Sequence, residues 1–513
     1  MSRIWLSLIV ATTALTGCDL SPDFTPPSFD LPETFKESPK ADDAVDASLW
    51  EEIKPSEAID RGEWWRIFDD EVLNQIQQDA LMANTNLAIA AERVVQARQE
   101  SYIALADLFP SIDAGFSPKR EKFSSGSPNL APGQVTKPQT SYRAQGILSY
   151  ELDLFGRLTG AYRVAELNAE ATDALYNSVL VSMQADVAQF YFSLRTLDAE
   201  RQFQKRVLAA KEESLRVAKR LYDVGETSDL ERSRAEADLA LAKSEAATLD
   251  RRRAELENSM AVLLGKIPSS YHFEEFPLAE KKPPSIPAGI PANLLARRPD
   301  IAAAIRKMEA NNRRIGMARA AMFPRIVLTA VGGYESQALS DAFEWSNRSW
   351  SIGPGMGNVV TQPVFEGGRI FFTTKQLFAE REESVAEYRG QVLNAFKEVE
   401  DSLAAIRLLA EEAVQQRAAA ESSMRSATIA RTRYEAGDLN QADALEYEAL
   451  AMNTRRGAIR SHGARYAATI SLIRALGGGW DFPKEAAIEQ PAPIQSPATE
   501  EIPDAATETP TPL

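Results

Sequence analysis

Tyr142-Arg143-Ala144-Gln145-Gly146-Ile147-Leu148-Ser149-Tyr150-Glu151-Leu152-Asp153-Leu154-Phe155-Gly156-Arg157 contains the change of period on which the fold turns. Up to Leu154 the even positions are Tyr, Ala, Gly, Leu, Tyr, Leu and Leu. The odd positions Arg143, Gln145, Ile147, Ser149, Glu151 and Asp153 are mostly polar. A period of two describes a strand with one apolar face. Beyond Gly160 the pattern changes: the run from Ala161 to Val224 includes neither Gly nor Pro and is rich in Ala, Leu, Glu, Arg and Gln. At 1.5 Å per residue it predicts roughly 100 Å of continuous helix. Gly225 then suits the left-handed position that ends a helix and reverses the chain.

This unit occurs twice. The shift that carries Gly225 onto Gly437 also places Gly156-Arg157 on Gly368-Arg369, Tyr222 on Tyr434 and Leu264-Gly265 on Leu476-Gly477; a slightly longer shift places Phe109-Pro110-Ser111-Ile112 on Phe323-Pro324-Arg325-Ile326. Near-constant spacing over this length indicates a tandem duplication. The second long helix is expected from Arg369 to Ala436, with only Gly390 inside. Each copy reads as a long antiparallel helical hairpin preceded by alternating segments. Ile326, Leu328, Ala330, Gly332 and Tyr334 repeat the apolar face, Ile112, Ala114 and Phe116 begin a third strand, and Trp350, Ile352 and Met356 mark a fourth. Any one of these strands alone would fit a soluble, half-buried sheet.

Composition removes several function classes. The 513 residues carry 57 Lys plus Arg against 73 Asp plus Glu, a net charge of −16, which is a poor match for nucleic acid. Two histidines and one cysteine provide little for a zinc site, a disulfide framework or His- and Cys-based catalysis. No nucleophile elbow, phosphate loop or metal-ligand cluster is present in the sequence, so no enzyme, catalytic residue, metal or cofactor is expected. Beyond the extreme N-terminus no apolar run reaches the roughly 18 residues that a spanning helix needs, which argues against transmembrane helices and leaves a membrane β-barrel open.

The cysteine has a different use. Residues 1–17 have Arg3, an apolar run from Ile4 and Leu15-Thr16-Gly17 before Cys18, the layout of a signal peptide with a lipoprotein processing box. Cys18 would accept a diacylglycerol and an acyl chain such as palmitate, giving the multi-chain anchor that stable attachment needs. Asp19 directly after it resembles an inner-membrane retention signal, against which a barrel would impose its own destination. Residues 18–61 are Pro-rich and acidic, and are expected to run extended and to wrap or tether rather than form a core. The acidic, Pro-rich tail 481–513 is expected to be disordered. Between them lie a first repeat at 62–275, a linker at 276–292 and a second repeat at 293–480.

Four strands cannot close a barrel, and open edges cannot sit in lipid because their N–H and C=O groups would lack partners. Membrane barrels begin at about eight strands, so several chains must contribute. Three chains give a twelve-stranded barrel with threefold symmetry, continued by the long helices as a tube. The expected fold is mainly α with a membrane β-barrel, built from two tandem repeats of two strands plus a helical hairpin.

The chain resembles the TolC-like outer-membrane efflux factors, in particular their lipoprotein branch, the OprM or NodT type. The resemblance rests on Cys18 with Ser21-Pro22-Asp23-Phe24 and Pro26-Pro27, on Trp64-Trp65-Arg66-Ile67-Phe68-Asp69-Asp70, on Tyr150 to Arg157, on Leu294-Leu295-Ala296-Arg297-Arg298-Pro299-Asp300-Ile301, on Phe365-Glu366-Gly367-Gly368-Arg369 and on Leu476-Gly477-Gly478-Gly479-Trp480. It covers about residues 18 to 480. Without the family, Arg-Arg-Pro-Asp reads as a helix start, with Pro299 at the first position and Asp300 at the positive end. The resemblance implies a homotrimeric exit duct in the outer membrane, attached to outer-membrane lipid. It would carry substrates, as in multidrug export, from an inner-membrane pump of RND type through a periplasmic adaptor.

The resemblance also implies a periplasmic gate. Asp443 and Glu446, six and nine residues after Gly437, would form carboxylate rings at the constriction, favouring cations. Tyr434 would pair with Glu231, six after Gly225. Leu439 stands where well-known members have an arginine, for which Arg234, Arg431 or Arg433 would substitute, and Ile305 stands where the family usually has a glutamate. The tips Gly225, Glu226, Thr227, Gly437, Asp438 and Leu439 would dock the adaptor's own hairpins. Without the family, charges near a helix end are a solvated face. The competing readings are a periplasmic adaptor, which has one hairpin rather than two, and a structural lipoprotein or coiled-coil scaffold of the envelope, which leaves the alternating segments without a purpose.

Overall fold

The computed structural model of the chain describes residues 19–29, 32, 34–37, 62–124, 136–284, 286, 297–353 and 359–478. Residues 1–17, read above as a signal peptide, together with Cys18, Met356, Trp480 and residues 481–513 lie outside the described residues. No described helix is long and apolar enough to cross a membrane.

After a 3-10 turn at Trp64–Phe68 come α1 (Glu71–Ala83), α2 (Thr85–Ala106), β1 (Ser111–Glu121), β2 (Gln139–Leu152), α3 (Arg157–Asp223) and α4 (Asp229–Leu263). The second half runs α5 (Pro299–Ala320), β3 (Arg325–Ser336), β4 (Arg348–Ile352), β5 (Val360–Thr361), α6 (Arg369–Glu435) and α7 (Gln441–Ala475). The duplication is preserved to the residue: α2 and α5 have 22 residues, α3 and α6 have 67, and α4 and α7 have 35. At 1.5 Å per residue each long helix spans about 100 Å. The first begins at Arg157, four residues before the Ala161 start of the Gly- and Pro-free run, enclosing Gly160, where the absent β-carbon leaves room for the Met317 side chain.

Both hairpins turn through the same bonds. Gly225 and Gly437 have φ of +77° and +81°. Their N–H groups donate to Tyr222 O and Tyr434 O, and the next N–H groups, of Glu226 and Asp438, donate to Leu221 O and Arg433 O. This left-handed cap satisfies the last carbonyls of each long helix, and a β-carbon there would be strained.

Helix α3 packs against α2, α4, α5 and α7, while α6 packs against α5 and α7. Two apolar clusters hold the helices at mid-height. In the first, Trp64, Trp65 and Phe68 sit among Tyr191, Phe192, Met260, Phe273, Tyr466 and Ile470. Trp64 Nε1 donates to Gln184 Oε1 at 2.9 Å, so its one polar atom is satisfied. In the second, Ile301, Met308, Tyr388, Val392, Val399 and Leu472 surround Phe35. The segment therefore wraps the helices, one of the two courses expected of it, and departs from the expectation only in lending a ring to the core. Phe35 is 2 % exposed, and Phe24 and Phe29 pack beside it. Burying such a ring contributes about 2 kcal/mol, a term that proline count and charge do not reveal.

The strands form one antiparallel sheet in the order β1-β2-β3-β4, and β5 pairs with β3 on the same side as β4. The fourth strand position is thus filled by two short pieces, β4 and β5, and Met356 of the expected strand lies outside the described residues.

Candidate functional site

The register decides what the sheet presents. Ile112 opposes Leu148, Leu148 opposes Ala330, and Ala330 opposes Ile352. The neighbouring rungs on that face are Ala114–Gly146–Gly332–Trp350 and Phe116–Ala144–Tyr334, with Tyr150–Leu328 and Leu152–Ile326 at the other end. Directly opposed residues share a face, so the apolar positions read from four separate segments join into one continuous surface. Aromatic residues mark both ends of it, Tyr150 at one and Phe116, Tyr142 and Tyr334 at the other. Ile112, Phe116, Trp350 and Ile352 on this face are all more than half exposed in the single chain.

The opposite face is mostly polar, with Ile147, Val331 and Val327 among its residues. Its polar rungs include Ser111–Ser149–Thr329, Gly115–Gln145–Gly333–Ser349 and Ser117–Arg143–Glu335. Arg143 and Glu335 form an ion pair at 3.0 Å. Glu151 at the base receives both Arg157 and Arg325, tying two strands to the start of α3. An eleven- to fourteen-residue strand with an apolar belt outside and polar groups inside has the length and patterning of a membrane barrel strand. Among the described residues, β1 pairs only with β2, and β4 and β5 only with β3, so each chain carries two free edges. Such edges need partners from other chains before they can meet lipid.

At the far end of the helices, Asp443 lies in the first turn of α7. Its N–H donates to Asn440 Oδ1 at 2.8 Å, and Asn440 Nδ2 donates to its carboxylate at 2.8 Å. Glu446, one turn on, is exposed. Glu231 occupies the place equivalent to Asp443 in the first hairpin, but there Ser228 provides no side-chain cap and Glu231 Oε2 is buried without a hydrogen-bond partner. Tyr434 is exposed, and among the described residues no hydrogen bond joins it to Glu231. Of the three arginines considered in place of Leu439, Arg431 is engaged with Glu435 at 3.2 Å, while Arg234 and Arg433 make no ion pair among the described residues. The tip residues Gly225, Glu226, Gly437 and Asp438 are exposed, and Thr227 and Leu439 are half-buried.

The Arg-Arg-Pro-Asp run does more than start a helix. Pro299 is the first residue of α5, as expected. Arg298 is bidentate to Asp300 at 3.0 and 2.7 Å, reaches Glu398 on α6 at 2.6 Å and donates to Ala475 O on α7 at 2.9 Å. Gln391 adds a bond to Asp300 at 2.6 Å. Burial alone would raise the Asp300 carboxyl, but the Arg298 guanidinium, Gln391 and the Ile301 N–H outweigh it and hold it below the ordinary range. A parallel junction at Asp70 caps α1 and receives Tyr191 Oη and Arg195 from α3. The remote partners Glu398, Gln391 and Arg195 carry no local signal in sequence.

Residues 19–29 lie along α5. Asp19 pairs with Arg313 and accepts the Ser21 N–H, Asn312 Nδ2 donates to Pro22 O at 2.6 Å, and Arg319 donates to Leu20 O at 3.0 Å. The main chain next to Cys18 is therefore held near the end of α5 that leads into β3.

Comparison with known proteins agrees with this geometry. The family model described as "Outer membrane efflux protein" matches residues 76–266 and 290–478. The chain is 28% identical over 498 residues to the toluene efflux pump outer membrane protein TtgC of Pseudomonas putida, covering 97% of this chain and 100% of that protein. It is 31% identical over 481 residues to the outer membrane protein OprJ of Pseudomonas aeruginosa, covering 93% of this chain and 95% of OprJ. Its fold superposes on the Campylobacter jejuni CmeC outer membrane channel with a TM-score of 0.83 at 25% identity, over 90% of this chain and 96% of that one. A belt of apolar strands, two equal helical hairpins and a family match spanning both repeats lead to one conclusion: the chain belongs to the outer membrane efflux protein family.

Proposed function

We propose that three copies of this chain pair their free sheet edges into a twelve-stranded barrel, and that the helices continue the wall into the periplasm as an exit duct. The observation that carries this reading is the continuous apolar face over four strands with one free edge on each side. Such a sheet is stable in lipid only when closed, and fourfold strand content makes three the smallest symmetric number that gives a barrel with a lumen. The duct would take substrates from an inner-membrane pump of RND type through a periplasmic adaptor docking at the hairpin tips. It would perform no chemistry, the energy coming from the pump. A general duct suits a family in which a relative bears the name of a toluene efflux pump, because selection then rests with the pump.

The gate belongs to the same reading. Three copies of Asp443 and Glu446 around the axis would make the mouth prefer cations, and Tyr434 and Glu231 would help hold it closed. Cys18 would carry the acyl lipid, with the bonds of residues 19–22 along α5 setting where the anchor enters the leaflet. The test is single-channel conductance of the purified protein in a planar bilayer, with oligomer mass measured on the same sample. A trimer with small, cation-preferring currents supports the duct. A monomer without currents refutes it. Asp443→Ala with Glu446→Ala is expected to lower cation preference, and Tyr434→Phe with Glu231→Gln to raise leak conductance; currents unchanged in both pairs would refute the gate assignment.

A further inference from the structure

The two faces of the sheet divide their charges unequally. The carboxylates of the described strands, Asp113, Glu121, Glu151 and Glu335, all lie on the inward face, opposite the apolar belt. The bases of that face pair with them: Lys119 with Glu121 at 2.7 Å, Arg143 with Glu335 at 3.0 Å and Arg325 with Glu151 at 2.7 Å. Among the described strands the outward face holds no carboxylate, and its charged residues are Arg120 and Arg348. Lys122, exposed, follows just past the end of β1.

These cations gather at one end. Arg348 shares its rung with Phe116, Ala144 and Tyr334. Arg120, opposite Thr140, stands four residues beyond Phe116, about 13 Å further along the strand. At the other end, where β2 leads into α3 and α5 leads into β3, the outward residues Tyr150, Leu152, Leu328 and Val360 bring no charge. The helical end is the periplasmic one in an outer membrane efflux protein, so the cations stand at the outer leaflet.

Their surroundings fit a headgroup layer. Phe116 stacks on Tyr142 with ring centroids 6.4 Å apart, and Phe343, from the β3–β4 connection, meets Tyr334 edge to face at 5.8 Å. Such aromatic girdles sit at the level of the lipid headgroups. Arg348 is held there from one side: its guanidinium lies 3.4 Å from the centroid of the exposed Trp345 ring, and its Nε donates to Trp345 O at 2.7 Å. Its terminal N–H groups are left for another acceptor. Arg120, Lys122 and Arg348 make no ion pair among the described residues, although Glu121 adjoins Arg120 and Glu344 stands four residues before Arg348. A base on a lipid-facing strand is least unfavourable at the interface, and unpaired bases confined to one interface, in a chain of net charge −16, are complementary to an anionic leaflet. A guanidinium matches two phosphate oxygens at once.

We propose that the outward rim of Arg120, Lys122 and Arg348 binds the phosphate groups of an anionic outer-leaflet lipid. This rests on the barrel reading above, in which ring closure brings β1 of the next copy beside β4. Arg348 of one chain and Arg120 of its neighbour then border the same lipid-facing seam. The rim is a collar that recognises one leaflet and fixes the height of the barrel in it.

The test is native mass spectrometry of the full-length protein, delipidated in mild detergent, with oligomer mass and lipid adducts read from the same spectra. The probes are bisphosphorylated lipid A and its dephosphorylated form with the same acyl chains. Wild-type trimers are expected to retain the phosphorylated lipid about tenfold better, an advantage that shrinks as salt rises. Arg120→Gln with Lys122→Gln and Arg348→Gln should remove that advantage, while Lys119→Gln with Arg143→Gln, on the inward face of the same end, should leave it. Equal retention of the two lipids by wild-type trimers would overturn the proposal without recourse to any variant. Trimers of the outward variant that still prefer the phosphorylated lipid tenfold would overturn it too. Monomers alone in the wild-type spectra would refute the barrel reading beneath it, a separate outcome.

Discussion

Ala330→Arg compared with Val331→Arg separates a lipid-facing sheet from a soluble one. Ala330 lies on the rung Ile112–Leu148–Ala330–Ile352, between Tyr150 on one side and Phe116, Tyr142 and Tyr334 on the other. This places it near the middle of the apolar belt, where a lipid-facing Arg in an outer-membrane barrel costs about 2–4 kcal/mol. Val331 is the next residue, but its rung is Asp113–Ile147–Val331–Ser351 on the opposite face, where an Arg between Ile147 and Ser351 would not meet lipid and would escape most of that cost. The difference of about 2 kcal/mol per chain corresponds to roughly 30-fold in the folding equilibrium, since each 1.4 kcal/mol is tenfold. The assay is urea-dependent folding into lipid vesicles, with assembly read from heat-modifiable migration on gels. If Val331→Arg were as damaging as Ala330→Arg, the face assignment would fall; if neither mattered, the sheet would not face lipid.

Asp300→Asn removes the charge that Arg298 and Gln391 were built around, and should destabilise the junction by about 3 kcal/mol at neutral pH, measured by denaturant unfolding. The Asp300 carboxyl is held below its ordinary 3.8 in the folded state, so its contribution is complete above that pH and disappears as pH falls through the lower folded value. Wild type and variant should therefore converge in stability as acid protonates the folded carboxyl, and a gap that does not narrow as pH falls below 3.8 would refute the linkage. Gly463→Val should cost about 1–3 kcal/mol, because a β-carbon there runs into the Thr196 side chain where α7 meets α3; thermal unfolding checks it. Cys18→Ala should lose the acyl mass in mass spectrometry while barrel assembly continues, since the strand rungs do not involve the anchor.

Much of this protein is written locally along the chain. The change from period two to a Gly- and Pro-free run between Tyr142 and Gly225, and the return of the same order between Arg325 and Gly437, determined strands, long helices, hairpin turns and duplication. Those features depend on rotamers, backbone freedom and spacing within a few residues, and so can be read without a partner. Asp443 and Glu231 could also be located by distance from a turn glycine, although the bonds they make could not. Only the tertiary structure decided that four apolar patterns share one face, because register depends on which residues oppose one another across strands. Phe35 became a core residue because the α6 groove accepts its ring, and Asp300 became a junction because Arg298, Gln391 and Ala475 converge from three helices.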